Sequence, residues 1–209
     1  MTRYDKREQG LAIGLSALAG YVDAIGFIEL GGFFVSFMSG NSTRLGVGLI
    51  ERSHDAAIAG ALIAMFVVGV IAGSLTGRVA ASRRRPVVLL LVAALLAVAA
   101  ACSAIDATPI AVAAMVLAMG AENSVFEQGD DVHIGLTYMT GALVKFGQRV
   151  ASALLGGDRF AWTPYLLLWA GLVVGAVAGA ATHHWVGLVG LWIAAAFAAT
   201  FAFIAHRIS

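Results

Sequence analysis

Long apolar runs broken by short polar stretches set the plan of this chain. Helices are expected over 10–30, 56–77, 87–105, 110–126, 162–181 and 185–205. Each is near the ~20 residues that cross a bilayer as a helix. Arg78 and Arg83-Arg84-Arg85 close the second run, and Pro86 suits the first turn of the third. Asp106-Ala107-Thr108-Pro109 and His183-His184 read as short turns. Two stretches fit neither a spanning helix nor a loop: residues 33–50 and 134–155 are mixed, with hydroxyl, glycine and basic positions among apolar ones.

Those two stretches resemble each other. Phe37-Met38-Ser39-Gly40-Asn41-Ser42-Thr43-Arg44-Leu45-Gly46 returns, 101 residues later, as Tyr138-Met139-Thr140-Gly141-Ala142-Leu143-Val144-Lys145-Phe146-Gly147. Gly20-Tyr21-Val22-Asp23-Ala24 returns as Gly120-Ala121-Glu122-Asn123-Ser124, and Gly69, Gly73, Gly77 as Gly171, Gly175, Gly179. The order is the same in both halves. The chain therefore reads as one membrane domain over 1–209, duplicated as 1–105 and 106–209.

Composition fixes the solvent. Hydrophobic residues are 60%, charged residues 12%, and mean hydropathy is +0.90. A soluble domain is about a quarter charged, so the expectation is an all-α integral membrane protein. The net charge of +1 gives no reason to expect a nucleic-acid partner. Cys102, the one cysteine, excludes an internal disulfide and a cysteine-based metal site. The adjacent His183 and His184 have no third ligand nearby in sequence, and no metal or other cofactor is expected.

The distribution of positive charge chooses the topology. Eight crossings would put Arg83-Arg84-Arg85 opposite the basic N-terminal tail, against the positive-inside rule. If each polar stretch instead enters and returns, the tail, residues 78–85, residues 127–159 and Arg207 share the cytoplasmic side. Only Arg44 and Arg52 then lie outside, beside Glu51 and Asp55. That leaves six spanning helices, three per half, plus two broken half-helices. An odd number per half inverts the second half relative to the first, with both termini cytoplasmic.

A backbone break within a bilayer survives where protein or a watery cavity satisfies the freed groups. Ser39 and Thr140 are helix-capping types, and Gly40 and Gly141 admit close approach by a ligand or another backbone. Half-helices beginning there would aim their positive ends at a central site, a recurring arrangement for anionic solutes. Arg44 and Lys145 would add positive potential, and Met38, Asn41 and Met139 would line the site; if both stretches are instead polar hairpins at the interface, Arg44 and Lys145 snorkel to headgroups. Asp23 is a carboxylate at membrane depth, costly enough to need a reason. As a functional residue it can take up a proton, coordinate a cation or pair with Arg44 or Lys145; as a structural residue it can hydrogen-bond the broken backbone. Asn123 is its non-titrating mate. Glu122, beside it, can take the titrating part that Asn123 cannot, but is expected to face the polar end of its helix; the glycine stripes are expected to pack helices closely.

Gly20-x-x-Asp23-Ala24, Phe34-Val35, Met38-Ser39-Gly40-Asn41, Gly120-x-x-Asn123 and Tyr138-Met139-Thr140-Gly141 resemble the YoaK-like family of small bacterial inner-membrane proteins, which carry a domain of unknown function. The resemblance covers nearly the whole chain. It implies about six spans and a bacterial cytoplasmic-membrane location, and it supplies no substrate. Glu122 stands where members of that family often have Gln. The functional expectation is a small secondary transporter or facilitative channel for a small polar solute, an anion or weak organic acid. A non-transporting assembly factor or regulatory subunit is the alternative, and no enzyme activity is expected. The partners implied are the solute, the bilayer and a second copy of the chain as a homodimer.

Overall fold

The computed structural model describes residues 6–128, 131–132 and 137–208. They form α1 (Lys6–Glu29), α2 (Met38–Glu51), α3 (His54–Ala80), α4 (Arg84–Ser103), α5 (Thr108–Glu122), α6 (Met139–Leu154), α7 (Thr163–Val186) and α8 (Leu191–Ile208). Short 3-10 turns lie at Ala81–Arg83, Asn123–Phe126 and Gly187–Gly190. A two-residue antiparallel pair joins Glu127–Gln128 to Asp131–Val132. Thr2 to Asp5 of the basic tail, residues 129, 130 and 133 of the loop over 127–133 and residues 134–136 of the stretch 134–155 lie outside the described residues.

Four helical stretches are long and apolar enough to cross a membrane: Lys6–Glu29, His54–Ser103, Thr108–Phe126 and Thr163–Arg207. The second and fourth are each broken once. Ala81 takes a positive φ of 48° between α3 and α4, and Gly187 one of 58° between α7 and α8. The expected turn at His183-His184 is therefore misplaced. Both histidines continue α7, and His183 Nε2 lies 3.1 Å from Glu29 Oε2. The chain reverses four residues later, where glycine tolerates the left-handed backbone.

The bundle is built from two tight helix pairs, α1 with α7 and α3 with α5, held together through α4 and α8. Glycines set the closeness of both pairs. A Cβ at Gly20 would run into the Leu172 carbonyl, and one at Gly120 into the Phe66 carbonyl. Gly175 and Gly179 face the backbone of Ala17 and Tyr21; Gly69 and Gly73 face that of Leu117 and Ala121. The contacts recur with a shift of 100 between α1 and α5 but of 106 between α3 and α7. The sequence pairing of Gly69 with Gly171 is thus one helical turn out; Gly69 occupies the place of Gly175. The loop between α6 and α7 is longer than the one between α2 and α3, which is where the register changes.

The glycine role is directly testable. Gly175→Val is expected to destabilise by about 1–3 kcal/mol or more, because the obstacle is a backbone carbonyl rather than a movable side chain. Gly46→Ala in α2 meets nothing within 4 Å and is expected to stabilise by about 0.5–1 kcal/mol. Thermal unfolding in detergent reads both signs.

Candidate functional site

The first break in the membrane helices is held by two side chains. Asp23 projects from α1, and one of its oxygens accepts hydrogen bonds from Val35 N at 2.9 Å and Ser36 N at 2.7 Å. Asn41, in the first turn of α2 and fully buried, pairs with Phe34. Its Oδ1 accepts from Phe34 N at 3.0 Å, and its Nδ2 donates to Phe34 O at 2.7 Å. The non-helical segment 34–36 is thus clasped from both sides. Val35 and Ser36 are themselves buried, so these amides would otherwise be orphaned. Of the two roles open to Asp23, hydrogen bonding to the broken backbone is the one its contacts display.

At the second break, residues 133–136 lie outside the described residues. Asn123 Oδ1 accepts from Thr137 Oγ1 at 3.3 Å, and its Nδ2 donates to Met119 O at 2.9 Å. Ala142 stands where Asn41 stands in the first half and offers no polar atom. Met139 is buried, with its sulfur 3.9 Å from Ser16 Oγ of α1, which itself donates to Leu168 O of α7.

Ser39 and Thr140 do not cap. Each helix starts one residue earlier, at Met38 or Met139; Phe37 and Tyr138 occupy the cap positions without a side-chain cap bond. Both hydroxyl residues are exposed. Gly40 and Gly141 have a different use from ligand approach. A Cβ at Gly40 would lie 2.8 Å from the Phe37 and Phe34 rings, and one at Gly141 would strike the Tyr138 ring. The repeated aromatic-Met-hydroxyl-Gly pattern therefore folds the aromatic ring back over the glycine three residues on.

The two cations lie on the flanks. Arg44 sits over the Phe33 ring, 4.5 Å from its centroid, with Asp55 at 3.9 Å. Lys145 is exposed and lines a cleft between α6 and α7. The packing partner of α2 is α3, and that of α6 is α7.

Carboxyl groups occupy the interior instead. Asp23 and Phe34 line an apolar groove of about 520 Å³ between α1 and α7. Glu122 is fully buried, and neither of its oxygens has a hydrogen-bond partner among the described residues. It continues the buried stripe Ala111, Met115, Ala118 of α5, away from the Leu117, Gly120 and Ala121 face that meets α3. It does not face a polar helix end, as the sequence reading had it. One signal for this was available: Glu122 aligns in the repeat with Val22, a core position that is likewise fully buried.

Below Glu122 the polar groups are tied off. Glu127 takes a hydrogen bond from Ser74 Oγ at 2.7 Å and has Arg84 Nη1 at 3.1 Å and Arg78 Nε at 3.9 Å. The Arg84 contact is close but lacks hydrogen-bond alignment. Burial pushes the Glu127 carboxyl up, but the Ser74 and Arg84 contacts and the charges of Arg84 and Arg78 outweigh it and hold the group below its ordinary range. Arg85 pairs with Glu8 at 2.7 Å.

A protein family described as "Protein of unknown function (DUF1275)" matches residues 11–204. The "UPF0700 transmembrane protein RA0705" of Rhizobium meliloti (strain 1021) is 37% identical over 186 residues, covering 88% of this chain and 80% of the relative. No solved structure matches the chain.

Proposed function

The chain belongs to the DUF1275 family, and from that premise we propose that it is a small secondary transporter that moves a small polar solute, best a weak organic acid, together with a proton. The observation that carries this reading is Glu122. A carboxyl buried in the membrane part with no donor is costly as a bare charge, so a proton or cation has to accompany it. A structural acid would be expected to hold a partner, as Asp23 does.

The same reading takes the architecture as six crossings in a three-plus-three inverted repeat. Stretches of 50 and 45 residues would be roughly 75 and 68 Å long as straight helices, over twice the ~30 Å hydrocarbon core. Each supports two crossings. The recurrence of the Gly20 contact at Gly120, and of the Gly175 contact at Gly69, supports the duplication. Residues 1–105 and 106–209 are the halves, with both termini on the cytoplasmic side of the bacterial inner membrane.

The geometry bears on substrate charge. Asp23 already answers the amides at the entry to α2, and Arg44 and Lys145 lie on the flanks. A bare anion finds no cation of the expected central pair in the interior, whereas a solute paired with a proton needs none. Gly40, Asn41 and Gly141 then act chiefly by shaping the two breaks.

Reconstitution into liposomes holding a pH dye tests this. Imposed gradients of small carboxylic acids are expected to drive proton-linked uptake in the wild type, and Glu122→Gln is expected to reduce it about tenfold or more, the scale of one lost proton carrier. Wild-type vesicles no more permeable than empty ones across a broad acid, amine and neutral panel would sink the transport reading. Co-purification of a membrane partner would then favour an assembly or regulatory role.

A further inference from the structure

We propose that the cleft between α6 and the start of α7 is a phosphate-binding site at the membrane surface, built by Lys145, Gln148, Arg149, Ser152 and Tyr165. The cleft measures about 440 Å³ and is lined by those five residues. On α6 the four lining positions follow the spacing i, i+3, i+4, i+7, one face of a helix. Every side chain in the set can donate a hydrogen bond, and none is a carboxylate. Lysine supplies a point charge and arginine a planar fork, the pairing suited to phosphate oxygens.

Charge bookkeeping in this half differs from that in the other. Arg44, the repeat equivalent of Lys145, is paired with Asp55 and lies over Phe33. Neither Lys145 nor Arg149 has an ion-pair partner among the described residues, and α6 itself contains no acid. Two adjacent cations on one face repel each other unless an anion joins them. Tyr165 is the third residue of α7 and buried, which places the cleft at the positive end of that helix. It is a second, independent contribution of the same sign.

The surroundings fix the depth. Leu143, Val144 and Leu154 in α6, and Leu155 and Phe160 after it, are large exposed apolar residues. The ring of Phe146 packs edge-on against Trp162, with centroids 5.9 Å apart. A helix with a basic face and apolar residues beside it lies at the headgroup boundary. Phosphate can reach such a cleft from a lipid headgroup or as a free solute; the chemistry of recognition is shared. The site includes neither Asp23 nor Glu122, so it stands or falls apart from the transport reading.

The test uses the full chain in detergent and in nanodiscs, with inorganic phosphate and phosphatidylglycerol as the two probes and phosphatidylcholine as the control. Wild type is compared with Lys145→Gln/Arg149→Gln, changes at exposed positions that preserve helix propensity. Each lost charge-assisted bond is expected to weaken retention about tenfold or more. If inorganic phosphate raises the melting temperature of wild type and not of the double variant, the site takes free phosphate. If phosphatidylglycerol is retained by wild type in native mass spectrometry, and about a hundredfold less by the double variant, it takes a headgroup. If neither probe distinguishes the two proteins, the proposal is overturned. The melting temperature without probe shows separately that the double variant is folded.

Discussion

Replacing Asp23 with alanine is expected to unseat the entry to α2 and to cost roughly 2–6 kcal/mol. The figure follows from the two buried amides, Val35 N and Ser36 N, that lose their shared acceptor; each orphaned buried donor costs about 1–3 kcal/mol. Water does not rescue them cheaply in a membrane-embedded segment. Asp23→Asn keeps one acceptor oxygen of the same shape and is expected to cost less than half as much. Thermal unfolding ranks the two variants. Thiol labelling of Ser39→Cys in a Cys102→Ser background shows whether α2 has moved. An Asp23→Ala protein as stable as wild type would remove the clasp from the account of this fold.

The comparison also separates two roles that a membrane carboxylate can hold. A coupling residue tolerates substitution in the folded protein and loses flux; a clasp loses the fold first. If Asp23→Asn transports normally while Glu122→Gln does not, the two acids divide the work: one keeps the break open, the other carries charge.

How much of this was legible in the sequence varies with the range of the interaction. The long apolar helices follow from apolar runs alone, because their length and composition need no partner. The breaks near Met38 and Met139 follow from a repeated local pattern, and they fall within a residue or two of the expected place. The use of Gly40 and Gly141 was hidden because the ring each accommodates belongs to the helix's own cap residue. Any scheme that looks outward from the glycine for a ligand misses it. The one-turn error in pairing Gly69 with Gly171 has a plain cause. Glycines spaced every four residues match equally well after a shift of one turn, and only the carbonyls opposite them, at Leu117 and Ala17, decide the register. Asn41 is invisible as a clasp without the backbone of Phe34. Glu122 could have been found, since the repeat sets it against Val22.

Glu127→Gln is expected to cost about 3 kcal/mol, the low end of what breaking one side of a buried ion pair costs. The Arg84 side chain is 18% exposed and Glu127 6%, so the arginine left behind recovers only part of its hydration. Acid should reproduce the effect of the substitution. The Glu127 carboxyl is held below its ordinary range in the folded protein, so between the folded and unfolded values the unfolded chain binds more protons. Stability therefore rises with pH through that window. The contribution of the cluster is fully present above the unfolded glutamate value, about 4.3, and is lost as pH falls through the folded one. Chemical or thermal unfolding from pH 3 to 7 should show an acid limb in wild type that is flattened in Glu127→Gln. A second substitution identifies the cause. If the cost is a stranded guanidinium, Glu127→Gln/Arg84→Met should be more stable than Glu127→Gln alone, because an apolar chain of similar length removes the unpaired charge. If the double variant is no better, the work of Glu127 lies in its bond with Ser74, which ties it to Ser124 in the 3-10 turn after α5. The ion pair would then be incidental to the junction that closes the bundle beneath Glu122.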